Sequence, residues 1–216
     1  PPANEHSLFP GPSGTLSRAP STEPGEDYYQ GDYGCGTGFH SRYDRLYIQN
    51  VETYYDDWDG REEKMLCYTG EPINSDIEVT GHPWVDLYFS ASEKDCTFFV
   101  YLSDVTPGGK SIYITEGVFR VLHRRPGQLP ENVPETGPTH SFRRTDAMLL
   151  TPAEATKVSF ELLPTSYLFR SGHRVRISIA LADSDHFTRI PAGRPPELNV
   201  YRSLERQSRV VLPVVV

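Results

Sequence analysis

The chain has little cysteine, little basic charge and almost no helical patterning, and each shortage removes a class of protein. Cys35, Cys67 and Cys96 are its three cysteines. An odd number cannot pair completely, and no two stand at metal-ligand spacing, so they read as ordinary thiols. Lysine and arginine total 21 against 29 acids, a net charge of −8. The tightest basic pairs, Arg124-Arg125 and Arg143-Arg144, are isolated, and most of such a surface repels nucleic acid. No apolar run approaches the length of a membrane span. The 7 histidines are scattered, and none forms an H-E-x-x-H or H-x-x-x-H pair. The sequence opens on Pro1-Pro2 without Met, as a piece of a longer protein does. The lack of a leader therefore says nothing of compartment.

What is present is strand. Aromatics make up 12% of the residues and 13 of them are Tyr, which suits a pleated, half-buried surface. Residues 1–40 are rich in Pro, Gly, Ser and acids and read mostly as loop, with Ser7-Leu8-Phe9 as a short edge strand. From residue 65 the character changes. Met65–Thr69, Ile77–Val79, Trp84–Ser90 and Phe98–Ser103 read as strands. Ser111–His123 is a long apolar run in which Glu116-Gly117 predicts a bulge or bend. Residues 124–152 form a Pro-rich connection, expected to be an ordered surface loop with a job. Thr151-Pro152-Ala153-Glu154 suits a single helical turn. Val158–Leu162 alternates cleanly. So does Arg174–Leu181, with Val175, Ile177, Ile179 and Leu181 toward a core and Arg174, Arg176 and Ser178 toward water. Val210–Val216 closes the chain as a strand. Many short strands with turns between them predict an all-β antiparallel sandwich or jelly roll. Residues 1–64 would be a loop-rich lead-in to the same domain, and 65–216 the sandwich. The predicted core is Val175, Ile177, Ile179, Leu181, Phe160, Leu162, Leu87, Phe98, Val100, Leu102 and Val118.

Candidate chemistry is thin. A serine nucleophile sits on G-x-S-x-G between a strand and a helix. Gly11-Pro12-Ser13-Gly14-Thr15 is the nearest approach, and it lacks the second glycine at the right place and both flanking elements. Asp183-Ser184-Asp185-His186 follows a strong strand. Two carboxylates and an imidazole there could bind a metal or act as acid and base, or the aspartates could simply cap turns. Tyr54-Tyr55-Asp56-Asp57-Trp58-Asp59-Gly60 is acidic and aromatic, as a sugar-binding face is, but buried aromatics beneath a turn would give the same pattern.

Two stretches carry a resemblance. One runs from Glu71-Pro72 through Ile77–Gly81, Val85-Asp86-Leu87 and Asp95–Val105 to Thr115–Arg120. The other is Leu163–Ile179, containing Gly172-His173-Arg174. Leu16-Ser17 and Asp27-Tyr28-Tyr29 are a weaker echo. Together they resemble the C-terminal domain of the CocE/NonD hydrolases, a family of X-Pro dipeptidyl-peptidases, cocaine esterase, α-amino-acid ester hydrolases and glutaryl acylases. The resemblance implies a jelly-roll-like, galactose-binding-domain-like antiparallel β-sandwich. It implies that the Ser, Asp and His of the triad lie in a preceding α/β-hydrolase domain, and none of them maps onto this chain. His173 and Arg174 are then structural, and Gly172 permits a tight turn. Two departures stand out: Thr97 replaces an aspartate, and Ala182–Phe187 replaces a Ser-Ser-Asn-Phe-Pro run.

The expected function is that of a non-catalytic accessory domain of a serine hydrolase, with no catalytic, cofactor or metal residue of its own. The implied partners are the α/β-hydrolase domain of the same polypeptide and, through it, a peptide, ester or amide substrate. Neither nucleic acid nor membrane is expected. The rivals are a stand-alone carbohydrate-binding module and a self-contained hydrolase using Asp183, Asp185 and His186. A docking patch is expected around Leu8 and Phe9, along 124–152, and in 183–196, where Phe187 is the prominent apolar side chain.

Overall fold

The computed structural model describes residues 3–43, 54–129, 131–133 and 136–215. They form thirteen strands and, among the described residues, no α-helix. The strands are β1 (Ala3–Pro10), β2 (Thr15–Ser17), β3 (Glu26–Gln30), β4 (Leu66–Gly70), β5 (Ile77–Gly81), β6 (Trp84–Ala91) and β7 (Thr97–Val105). They continue with β8 (Ser111–Arg120), β9 (Thr156–Glu161), β10 (Thr165–Phe169), β11 (Arg174–Ala180), β12 (Glu197–Tyr201) and β13 (Arg209–Val215). All pairings are antiparallel except the short β2–β4 contact. The chain is an all-β sandwich.

The front sheet is built on β1–β13–β6–β9. β5 and β10 flank the far half of β13, and β12 and β3 flank the far half of β6. The back sheet runs β2–β4–β11–β7–β8. One strand belongs to both sheets. Residues 3–8 of β1 pair with β13, and Phe9 and Pro10 pair with Ser17 and Leu16 of β2. The N-terminal segment is therefore more than an edge strand and loop. Its alternation is hidden because His6 stands in line with Leu8 and the buried Pro10 at every second position.

Between the sheets lies the main core: Leu87 and Phe89 from β6, Phe98, Val100 and Leu102 from β7, Phe160 from β9, and Ile177 and Ile179 from β11. Phe98 crosses the interface, with its ring centroid 4.9 Å from Phe89 and 6.5 Å from Phe160. Every predicted core residue is in this cluster except Val118, which packs against a second cluster on the other side of the back sheet. The reason is a bulge. Leu102 pairs with Thr115 but Ser103 pairs with Tyr113, so Ile114 is the extra residue and the strand changes phase there. The bend expected at Glu116-Gly117 is instead unbroken strand. Gly117 is small because a Cβ there would lie 2.7 Å from the Glu161 carbonyl oxygen. Thr151–Glu154 is a turn rather than a helical start, with Ala153 at φ +63°. Gly172 sits at φ +83° in the turn that feeds β11.

Candidate functional site: a covered outer face

β7 is buried along its whole length, because both sides of the back sheet are covered. Phe98, Val100 and Leu102 face the main core, while Phe99 and Tyr101 face the opposite way. There they meet a layer laid down by the segments before β4: Cys35, Tyr55, Trp58 and Met65. Trp58 is 1% exposed, with its ring 4.9 Å from Tyr101 and 5.4 Å from Tyr113. Its indole Nε1 donates to Ser103 Oγ at 3.2 Å. The face of β11 expected to be wet is in fact roofed, and Ser178 is fully buried.

Two buried carboxylates fasten this roof. Glu62, on the 3-10 turn Arg61–Lys64, is 3% exposed. Its Oε1 accepts from Ser103 Oγ (2.8 Å) and Ser178 Oγ (2.6 Å), and its Oε2 from Ser111 Oγ (2.5 Å) and Arg176 Nη1 (3.1 Å). One side chain of the roof is thus held by three strands, β7, β8 and β11. A buried carboxylate persists only when its lone pairs are satisfied in this way. Glu116, on β8, is 1% exposed. Arg42 Nε lies 3.3 Å from its Oε1 and the Tyr55 hydroxyl donates at 3.4 Å. Burial outweighs these partners and raises the Glu116 pKa above the ordinary glutamate value. Tyr55 stacks on Tyr113 at 3.6 Å between centroids. Beside them opens a shallow cleft of about 450 Å³, lined by Arg42, Tyr43, Glu116, Glu161, Pro164 and Phe187.

The loop Asp183–His186 ties the roof down. Asp183 is buried and accepts from Thr37 Oγ1 (2.8 Å) and from the Asp185 backbone N–H (3.1 Å). Asp185 accepts from the Gly38 N–H at 2.8 Å, and His186 Nε2 contacts Ser41 Oγ at 2.8 Å and the Gly38 carbonyl at 2.9 Å. Ser184 donates its backbone N–H to the Cys35 carbonyl at 2.7 Å. Apart from the Asp183–Asp185 bond within the loop, these hydrogen-bond partners lie in residues 35–41, and each of the two carboxylates is engaged there or in the loop and not with the imidazole. Ser13 lies at φ +56° in a 3-10 turn between two strands, a setting without the helix that follows a nucleophile elbow. Trp58 and Tyr55 are buried, which removes the aromatic platform expected of a sugar-binding 54–60. His173 Nδ1 is 2.8 Å from Asp104 Oδ2, which also accepts from the Tyr167 hydroxyl at 2.8 Å, so His173 joins β11 to β7 and β10. Arg174 donates to the Gly70 carbonyl at 2.9 Å. The cysteines are free.

Residues 1–211 match the model of the X-Pro dipeptidyl-peptidase C-terminal non-catalytic domain. The chain belongs to that family. A Mycobacterium bovis protein named as a serine esterase is 43% identical over 197 residues, covering 91% of this chain. Cocaine esterase of Rhodococcus is 26% identical over 165 residues, covering 71%. This chain spans 31% and 26% of those two proteins. Among solved structures, a CocE/NonD family hydrolase from Staphylococcus aureus shares the fold over 100% of this chain and 37% of its own, at TM-score 0.74 and 16% identity. An aminopeptidase from a marine sediment Thaumarchaeota archaeon does so over 99% and 37%, at TM-score 0.75 and 20% identity.

Of the three segments expected to dock, only one displays large apolar side chains. Leu8 packs against the main core. Phe187 is packed into the roof, 5.1 Å from Phe99 and 4.9 Å from Tyr43. The 124–152 connection, in contrast, exposes Leu129, Val133, Phe142, Met148 and Leu149. It is also firmly held. Gly127 N–H donates to Thr139 O at 2.7 Å, His140 Nε2 lies 2.7 Å from Ser159 O, and the Arg124 guanidinium donates to the carbonyls of Met148 and Leu149. Phe142 stands at φ +52° and is 61% exposed as a residue. That backbone state costs a residue with a Cβ about 1–2 kcal/mol. The two buried glutamates were not singled out from sequence. The signal for Glu62 was a set of serines, 103, 111 and 178, inside otherwise apolar strands.

Proposed function

We propose that this domain packs on the catalytic domain of a serine hydrolase in the same polypeptide and helps to wall the approach to its active site. The observation that carries the reading is the 124–152 connection. It is fastened by backbone and side-chain hydrogen bonds, yet it holds Phe142, Met148 and Leu149 out toward solvent. An isolated domain gains nothing from ordering a loop to expose apolar area, whereas a docked domain buries it. The mycobacterial relative favours an ester-cleaving parent.

The test is Phe142→Asp with Leu149→Asp in the full-length polypeptide. The expected result is a thermal unfolding trace split into two transitions and a changed KM. The same pair in the 216-residue chain shifts its melting midpoint little, because both side chains are already exposed. A single unsplit transition with unaltered kinetics overturns the reading.

A further inference from the structure

A second cleft lies at the open end of the sandwich, between β1–β2 and β5, away from the roofed face. Its volume is about 570 Å³, within the range of small-molecule sites, ~300–1,000 Å³. Its accessible apolar walls are the partly buried Leu8, Ile73 and Ile77, with Val79 and Phe169 closed beneath them. Its rim carries His6, Arg18 and Glu71. Glu71 already faces a cation, Arg174 Nη1, at 3.6 Å. The side chains of Arg18 and His6 have no hydrogen-bond or ion-pair partner among the described residues. His6 is also misplaced for a merely structural residue. It stands two positions before Leu8 on β1, on the inward face, where alternation asks for an apolar side chain. The cleft therefore offers an apolar interior with two N–H donors, at least one of them cationic, at its mouth.

We infer that this cleft binds a small amphipathic carboxylate, its alkyl or aryl body against Leu8, Ile73 and Ile77 and its carboxylate on Arg18 and His6. The charge complementarity selects the headgroup: an unpaired guanidinium matches a carboxylate and gives a neutral amide far less. The inference does not rest on the docking reading. The walls are inside this domain, and the docking residues 142–149 do not line the cleft.

The experiment titrates octanoate and 4-phenylbutyrate into the 216-residue chain at pH 7, followed by backbone amide shifts, with octanamide as the neutral match. Saturable shifts are expected at Leu8, Ile73 and Ile77. Octanamide should bind about tenfold more weakly, the order expected when a charge-assisted hydrogen bond is replaced by a neutral one. Arg18 is exposed, so Arg18→Gln keeps the fold. It is expected to lower octanoate affinity about tenfold while leaving octanamide binding unchanged. Ser17→Trp, at the exposed mouth, should block both ligands with the melting midpoint unmoved. The inference is overturned if the folded chain shows no saturable binding, if Arg18→Gln binds octanoate like the parent, or if binding survives Ser17→Trp.

Discussion

Glu62→Ala tests the account of the roof most directly. The substitution removes the acceptor of three buried hydroxyls and the anion opposite Arg176. Removing one member of a buried ion pair typically costs ~3–5 kcal/mol. Here the lower end applies. The Arg176 side chain is 25% exposed, so water can partly solvate it, and its Nε keeps the Thr69 hydroxyl at 2.9 Å. The expected loss is thus about 3 kcal/mol. Glu62→Gln keeps one carbonyl acceptor, and the three hydroxyls can rotate to meet its amide, so about 1–2 kcal/mol is expected. The assay is urea unfolding at pH 7, reading midpoint and slope together. A second readout separates roof from core. Amide exchange should speed up in Trp58, Met65 and the 31–41 segment, while Val100 and Ile179 keep their protection until global unfolding. The reasoning is refuted if Glu62→Ala costs less than about 1 kcal/mol, since that is the median for an exposed pair. It is equally refuted if exchange rises uniformly across both layers.

Ile177→Ala empties space in the main core and should cost ~2–5 kcal/mol, whereas Val118→Ala, partly buried against the roof, should cost about 1 kcal/mol; equal losses in urea unfolding would undo the assignment of Val118 to the outer face. Burial raises the Cys35 thiol to about 11 and pushes Cys96 and Cys67 upward too, so at pH 8 a disulfide dye should react slowly with the native chain and with all three thiols in denaturant; a fast native thiol would contradict the packing. Burial gives Glu116 a folded pKa above its unfolded one. The folded state then holds a proton that the unfolded state has lost, and stability from this group grows as pH falls through the folded value and is lost as pH rises through it. Parent minus Glu116→Gln stability, by urea melts from pH 7 down to about 5, should therefore shift in favour of the parent, and a difference flat with pH would show that the carboxylate is well solvated.

The sandwich was legible where one side of a strand differs from the other. β11 shows Val175, Ile177 and Ile179 at every second position, and all three are in the main core. β6, β7 and β9 were found for the same reason. Alternation says only that the two faces differ, and not that the polar one is wet. Arg176 and Ser178 were read toward water, yet they point at Glu62 beneath a second layer. Nothing in Arg61-Glu62-Glu63-Lys64 tells which glutamate is buried, because the choice depends on three serines far along the chain. Val118 was misplaced because a one-residue bulge at Ile114 is invisible in the pattern around it. The docking expectation divided similarly. Leu8 and Phe187 are apolar in sequence but already packed, while Phe142 and Leu149 remain exposed. Composition cannot distinguish these two states.

The strand shared by both sheets also determines how the domain answers force. Ala3 and Val215 are register partners on β1 and β13, so the two outermost described residues sit about 5 Å apart, the spacing of an antiparallel pair. Tension applied between them pulls across the ladder and not along it. The hydrogen bonds are loaded one rung at a time, and the strands peel from Ala3–Val215 toward Leu8–Val210. Peeling would continue until Phe9 and Pro10, which are anchored on β2 in the other sheet, take the load.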